Sequence, residues 1–289
     1  MTRPAANALT TAYETCEAIT RTEARNFYYG IRLLPPAKRT SLCAVYALAR
    51  RIDDIGDGDL ALPDKTTALN GLKAELTDID GSRDPVLVAV ADTARRFPLP
   101  VGAFSELVDG VQMDLNGTRY DTFDQLVGYC RCVAGSVGRL CLGVFGSRAD
   151  PRASEYADAL GIALQQVNIL RDIREDLTNN RIYLPSEDLH RFGVRLALDA
   201  KGNLVDRDGG LARFIAFAAE RARLWYDRGL RLLPLLDRRS AASAAAMSGI
   251  YRRLLDQIAT NPRLVYDRRL SLSGWQKASV AVRALAGVS

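Results

Sequence analysis

Two pairs of aspartates share one spacing. Asp53 and Asp57 close the run Tyr46-Ala-Leu-Ala-Arg50-Arg-Ile-Asp53-Asp54-Ile-Gly-Asp57, and Asp172 and Asp176 close Gln165-Gln-Val-Asn168-Ile-Leu-Arg171-Asp172-Ile-Arg-Glu-Asp176. A step of four is about one helical turn, so each pair sets two carboxylates on one helix face, where they repel. Left uncompensated in a cleft, that repulsion grows with desolvation. A hard divalent cation would relieve it. Oxygen ligands without thiol or imidazole suit Mg²⁺, which commonly links one or two carboxylates to a substrate phosphate.

Each pair ends a longer polar stripe on an otherwise apolar helix. In the first, Tyr46, Arg50, Asp53 and Asp57 fall on one side, while Cys43, Val45, Leu48 and Ile52 fill the others. In the second, Gly161, Gln165, Asn168, Asp172 and Asp176 keep strict register among Leu160, Ile162, Leu164, Val167, Ile169 and Leu170. Both patterns predict a helix lining a polar cavity rather than a solvated surface. Amides beside carboxylates suit a metal–phosphate assembly, and Gly161 leaves room for a close approach to the backbone. The stretch from Gly58 to Asp64 reads equally as a flap over the site or an ordinary interhelix turn.

The elements that must carry these stripes are helical almost throughout. Apolar residues at intervals of three and four predict helices over 8–25, 36–56, 66–79, 85–97, 101–116, 122–146, 151–178, 209–235, 238–260 and 272–286. A short strand is expected only inside 201–206, where Gly202-Asn203 resembles a hairpin turn. No break has the length or composition of an interdomain linker. The expected architecture is one all-α domain over 1–289, with residues 1–9 loose.

Composition narrows the chemistry. Of 289 residues, 39 are basic and 34 acidic, a net charge of +5 without a clustered basic tract, and no nucleic-acid motif is present, so nucleic acid is not an expected partner. One histidine, His190, excludes histidine triads. Five cysteines (Cys16, Cys43, Cys130, Cys132 and Cys141) lack CxxC spacing, which argues against zinc and a disulfide framework and for reduced thiols, mostly buried. No apolar run approaches the ~20 residues that span a bilayer, and the N-terminus lacks an export signal, so a cytoplasmic protein is expected.

Beyond the aspartates, further elements follow in order. They are Asn26-Phe27-Tyr28-Tyr29-Gly30 with Leu33-Leu34-Pro35, Tyr129-Cys-Arg-Cys-Val133-Ala134-Gly135-Ser-Val-Gly138, and Asn180-Arg181-Ile-Tyr183-Leu184-Pro185. Together with the two Asp runs these resemble the squalene/phytoene synthase family, from about residue 20 to 195 and more faintly from Tyr251 to Lys277. The resemblance implies an isoprenoid synthase-type helical bundle around a central cavity, with the two Asp helices facing each other. It implies a prenyltransferase that joins two allylic prenyl diphosphates head to head with two or three Mg²⁺ ions.

Carried over by position, Asp53, Asp57, Asn168, Asp172 and Asp176 would hold metal. Arg25, Arg50, Arg171 and Arg269 would meet phosphate oxygens, with Gln165 and Asn168 completing the shell. Tyr46, Tyr129, Tyr251 and Phe27 would wall the space where a carbocation forms, and Arg181 and Tyr183 would close over it. Loss of diphosphate leaves a cation that must meet no water. Attack by the second substrate's double bond and loss of a proton then give a cyclopropylcarbinyl diphosphate, the released diphosphate or a tyrosine such as Tyr129 serving as base. Arg25 and Asn26 stand where relatives carry Lys or Ser, and both can still bond an anion.

Within the family, Phe27 to Pro35 and Asp109-Gly-Val-Gln112-Met-Asp114-Leu look most like the bacterial presqualene diphosphate synthases of hopanoid biosynthesis. The favoured reading is therefore condensation of two farnesyl diphosphates without NADPH. Phytoene synthase, acting on two geranylgeranyl diphosphates, shares every motif and stays open, as does squalene or dehydrosqualene synthase. A helical scaffold that has lost the reaction, and a class I terpene cyclase, fit the motifs less well. Arg252-Arg253, Arg268-Arg269 and the stretch Trp275-Gln-Lys277 read first as a solvated helix face and second as a membrane-resting one. An apolar product implies transient contact with a membrane surface and with downstream enzymes in either case.

Overall fold

The computed structural model describes residues 6–24 and 27–286. Thirteen α-helices are described: α1 (Ala6–Glu23), α2 (Phe27–Ile31), α3 (Pro36–Asp57), α4 (Leu62–Thr77), α5 (Pro85–Arg96), α6 (Gly102–Leu115), α7 (Phe123–Cys130), α8 (Ser136–Phe145), α9 (Ala153–Thr178), α10 (Ser186–Arg191), α11 (Gly210–Leu230), α12 (Arg238–Thr260) and α13 (Gly274–Ala286). No named strand occurs among the described residues. The strand expected within 201–206 reduces to one antiparallel bridge, Leu198 to Leu204, around a turn in which Gly202 takes φ +77°.

Local chemistry sets many of the boundaries. Pro36 opens α3, and Asp84 caps α5 by accepting from the Val86 and Leu87 amides, with Pro85 at the first helical position. Thr122 and Gln125 form a reciprocal capping box on α7, and Asp237 caps α12.

Two apolar cores result. One gathers α1, α3, α5, α6 and α8 around Leu48, Ile52, Leu87, Phe104 and Leu140. The other gathers α9, α11 and α12 around Val167, Phe214, Ile215, Tyr226 and Ile250. Phe27 and Val133 pack against both. The first Asp helix, α3, belongs to the first core and the second, α9, to the other, so the aspartate pairs meet at the seam.

Several expectations shift. Residues 6–9, expected to be loose, already form the first turn of α1, as their Ala-Asn-Ala-Leu sequence allows. The helix expected over 122–146 is α7 and α8 joined by a π-turn at Arg131–Gly135. The helix over 209–235 ends as α11 at Leu230, followed by a 3₁₀ turn at Leu233–Leu235 imposed by Pro234. Helices α2 and α10, with five and six residues, are too short for periodicity to show. Of the Gly58 to Asp64 stretch, Gly58 to Ala61 form a short exposed connection and Leu62 to Asp64 already open α4, pinned where Lys65 donates to the Gly56 carbonyl at 2.7 Å.

Helix α9 is wrapped by α8, the π-turn, α11 and α12, and two close approaches fix it. A Cβ on Gly161 would lie 2.2 Å from the Ala134 carbonyl oxygen, and one on Gly138 would lie 2.4 Å from that of Ala157. The space that Gly161 leaves is therefore filled by the π-turn backbone and not by a ligand. All five cysteines are free thiols; Cys16, Cys43 and Cys130 are buried and Cys132 and Cys141 only partly so.

Candidate active site

At the seam lies a cleft of about 620 Å³, part of it open to solvent. Helix α3 supplies Asp53, Gly56 and Asp57; α6 supplies Val111, Asp114 and Leu115; α7 supplies Tyr129. Helix α9 supplies Gln165, Asn168, Ile169, Asp172 and Asp176, and Arg181 and Tyr183 follow on the next loop. Both aspartate pairs thus face one space.

Their charges are strained in different ways. Asp53 opens onto the cleft, yet protein walls it closely. That desolvation and the neighbouring Asp57 push its carboxyl up to about 7, against the pull of Arg50. Asp176 rises to about 7 through burial and then Asp172, with Arg181 opposing. Asp57 instead accepts from Arg181 at 3.0 Å, which ties the loop after α9 to the end of α3. Asp172 is clamped: Arg171 Nε reaches one oxygen at 2.8 Å, and Arg269 reaches both oxygens at 3.0 and 3.1 Å.

Asn168 carries the most telling atom. Its amide donates to the Gln165 side chain at 3.2 Å, while its buried Oδ1 has no partner. An unsatisfied buried oxygen among carboxylates is what a cation or a donor-rich ligand would complete. Among the described residues no three acidic, thiol or imidazole side chains converge on one point. A divalent ion would therefore take few ligands from the protein and share the rest, as Mg²⁺ does with phosphate. The all-oxygen donor set fits such an ion.

Of the expected site residues, Asp53, Asp57, Tyr129, Gln165, Asn168, Asp172, Asp176, Arg181 and Tyr183 line the cleft. Arg171 and Arg269 stand behind Asp172. Arg50 does not turn inward as its stripe position suggested; its guanidinium takes Asp54 one turn on, at 2.7 Å, and borders an apolar groove with Ile19, Ile55 and Leu60. Tyr46 is half-buried nearby, its hydroxyl pushed up to about 12 by burial. Tyr251 is buried beside Phe27, ring centroids 5.9 Å apart, and neither is among the residues that line the cleft. Arg25 and Asn26 lie outside the described residues.

Asp114 was not among the expected site residues. It accepts from Tyr129 at 2.9 Å and Tyr183 at 2.7 Å. Burial raises its carboxyl while those two hydroxyls pull it down. Tyr120 packs on both rings. The sequence held a signal: Asp114 is charged, in an apolar helix, with Gly110, Val111, Gly117 and Thr118 at the positions where a basic partner would sit.

Known proteins align with this arrangement along nearly the whole chain. The squalene/phytoene synthase family model matches residues 20–276. A phytoene synthase of Mycobacterium tuberculosis is 59% identical over 275 residues, covering 95% of this chain and 91% of that protein. One from Arthrospira platensis is 38% identical, covering 92% and 90%. Among solved structures, a ligand-bound dehydrosqualene synthase superposes with a TM-score of 0.84 at 27% identity, covering 97% of each chain. Squalene synthase HpnC from Alicyclobacillus acidocaldarius gives 0.78 at 32% identity, covering 87% and 94%. With its opposed aspartate helices in an all-helical isoprenoid synthase-type fold, the chain belongs to the squalene/phytoene synthase family and is a prenyltransferase.

Proposed function

We propose that this protein is a phytoene synthase, condensing two geranylgeranyl diphosphates head to head with release of diphosphate. The observation that carries the reading is the 59% identity, over nearly full length, to mycobacterial proteins that bear this name. It revises the expectation of a C15 substrate. The local motifs serve both chain lengths, and apolar burial sets length by volume and not by any one residue. Identity spread over the whole chain speaks to that volume where motifs do not.

Asp53, Asp57, Asn168, Asp172 and Asp176 would hold Mg²⁺, which supplies charge neutralisation to the departing diphosphate. Arg171, Arg181 and Arg269, freed from their carboxylates, would take phosphate oxygens in bidentate fashion, with Gln165 beside them. Tyr129 and Tyr183, which line the cleft, would supply aromatic surface beside the developing cation, and Val111, Leu115 and Ile169 would exclude water. The hydrocarbon product must reach a lipid phase, so transient contact with a membrane surface belongs to the same reading. No helix among the described residues is long and apolar enough to cross a membrane, and Trp275 on α13 is 82% exposed.

The test is direct. Purified protein with Mg²⁺ is given geranylgeranyl or farnesyl diphosphate, with and without NADPH, and the products are identified by chromatography and mass. Phytoene from the C20 substrate, formed without NADPH, is expected. Turnover of the C15 substrate alone would restore the presqualene diphosphate reading.

A further inference from the structure

The cleft contains a fifth carboxylate that is arranged unlike the other four. Asp114, in the last turn of α6, has each oxygen occupied by one phenol: Tyr129 donates to Oδ2 at 2.9 Å and Tyr183 to Oδ1 at 2.7 Å. The two rings stack, centroids 5.1 Å apart at 24°. Tyr120 lies 5.5 Å from one and 6.4 Å from the other, its buried hydroxyl unpartnered. The group joins α6, α7 and the loop after α9, and Asp114, Tyr129 and Tyr183 all line the cleft.

A purely structural role would need only a neutral acceptor. An amide would bond a phenol without the penalty of a buried charge. Asp114 also differs from Asp57 and Asp172 in what holds it: they take guanidinium groups that a phosphate could draw away, whereas each Asp114 oxygen takes a phenol. What a carboxylate adds is negative charge behind the hydroxyls. A phenol that donates to an anion is polarised, and its ring face attracts a cation more strongly.

We propose that Asp114 is a positioning residue, whose carboxylate fixes Tyr129 and Tyr183 by their hydroxyl hydrogens and keeps their rings electron-rich toward the positive charge that develops in the cleft. This deepens the prenyl diphosphate reading and rests on it. Turnover of either C15 or C20 substrate by the unaltered enzyme, in the same assay, separates a failure of that reading from a failure of this one.

The experiment is a cycle. Asp114→Asn is expected to lower kcat by about 100-fold while KM and the Mg²⁺ concentration for half-maximal rate stay within about twofold. In a Tyr129→Phe, Tyr183→Phe background the same change should alter kcat by less than about threefold, because the hydroxyls through which the carboxylate acts are gone. Equal losses in both backgrounds would overturn the proposal. So would a tenfold rise in the Mg²⁺ requirement with kcat restored at saturation, the behaviour of a direct ligand. Should Asp114→Asn fail to fold, Tyr183→Phe alone carries the test: about a tenfold loss in kcat at unchanged KM supports the proposal, and an unchanged kcat refutes it.

Discussion

The Asp53 carboxyl is held up to about 7 by desolvation and by Asp57 one turn away, and Asp176 to about 7 by burial and Asp172. In the unfolded chain both would ionise near the usual aspartate value of about 4. Folding therefore favours the protonated form. The stability from each group is fully present below the unfolded value and is lost as pH rises through about 7. Asp53→Asn or Asp176→Asn removes that pH dependence. Each variant should melt higher than the parent in the absence of metal, by a margin that widens from pH 5 to pH 8, as thermal unfolding at the two pH values would show. The same substitutions should lower turnover by at least about 100-fold, because the stabilisation that an ion gives a leaving diphosphate amounts to several kcal/mol. Gain in melting temperature with loss of rate is the mark of a carboxylate kept for chemistry.

At the scale of elements, the close contacts along α9 depend on residues that lack a side chain. Gly161→Ala would press a methyl group against the Ala134 carbonyl. It should destabilise the protein by about 1–3 kcal/mol as overpacking. Gly71, in the interior of α4, meets nothing within 4 Å, so Gly71→Ala should instead stabilise by up to about 1 kcal/mol through helix propensity. Urea unfolding of the two variants, side by side, checks both signs. The long helices were legible because their apolar spacing persists for several turns, and the stripes on α3 and α9 already marked the walls of a cleft. The π-turn after Cys130 was not. Its sequence, Arg-Cys-Val-Ala-Gly, keeps the α-helical pattern, and one extra residue in the turn is an outcome of packing against α9. Gly161 was read as room for a close approach to the backbone, and the π-turn at Ala134 makes that approach; a glycine records a close approach without recording what approaches.

Across the whole molecule, the candidate site lies where two cores adjoin, and that explains what sequence could and could not show. Asp53 and Asp57 were recognisable from register within α3, and Asn168, Asp172 and Asp176 from register within α9. Asp114 needed the third dimension, since its partners Tyr129 and Tyr183 come from other elements. Arg50 was misplaced because periodicity gives a direction from the helix axis and not the competition from Asp54. The grip of Arg171 and Arg269 on Asp172 joins α9 to the segment that precedes α13. At rest, the two guanidinium groups already neutralise that acid, so a bare ion arriving from solution finds the seat taken. Inorganic diphosphate would draw the arginines away and open it. Calorimetry should accordingly register feeble Mg²⁺ uptake by the protein alone and a large increase once diphosphate is added, and Arg269→Ala should shrink the difference. Metal and substrate would then enter as mutual prerequisites, which leaves the ionising machinery disarmed until there is something to ionise.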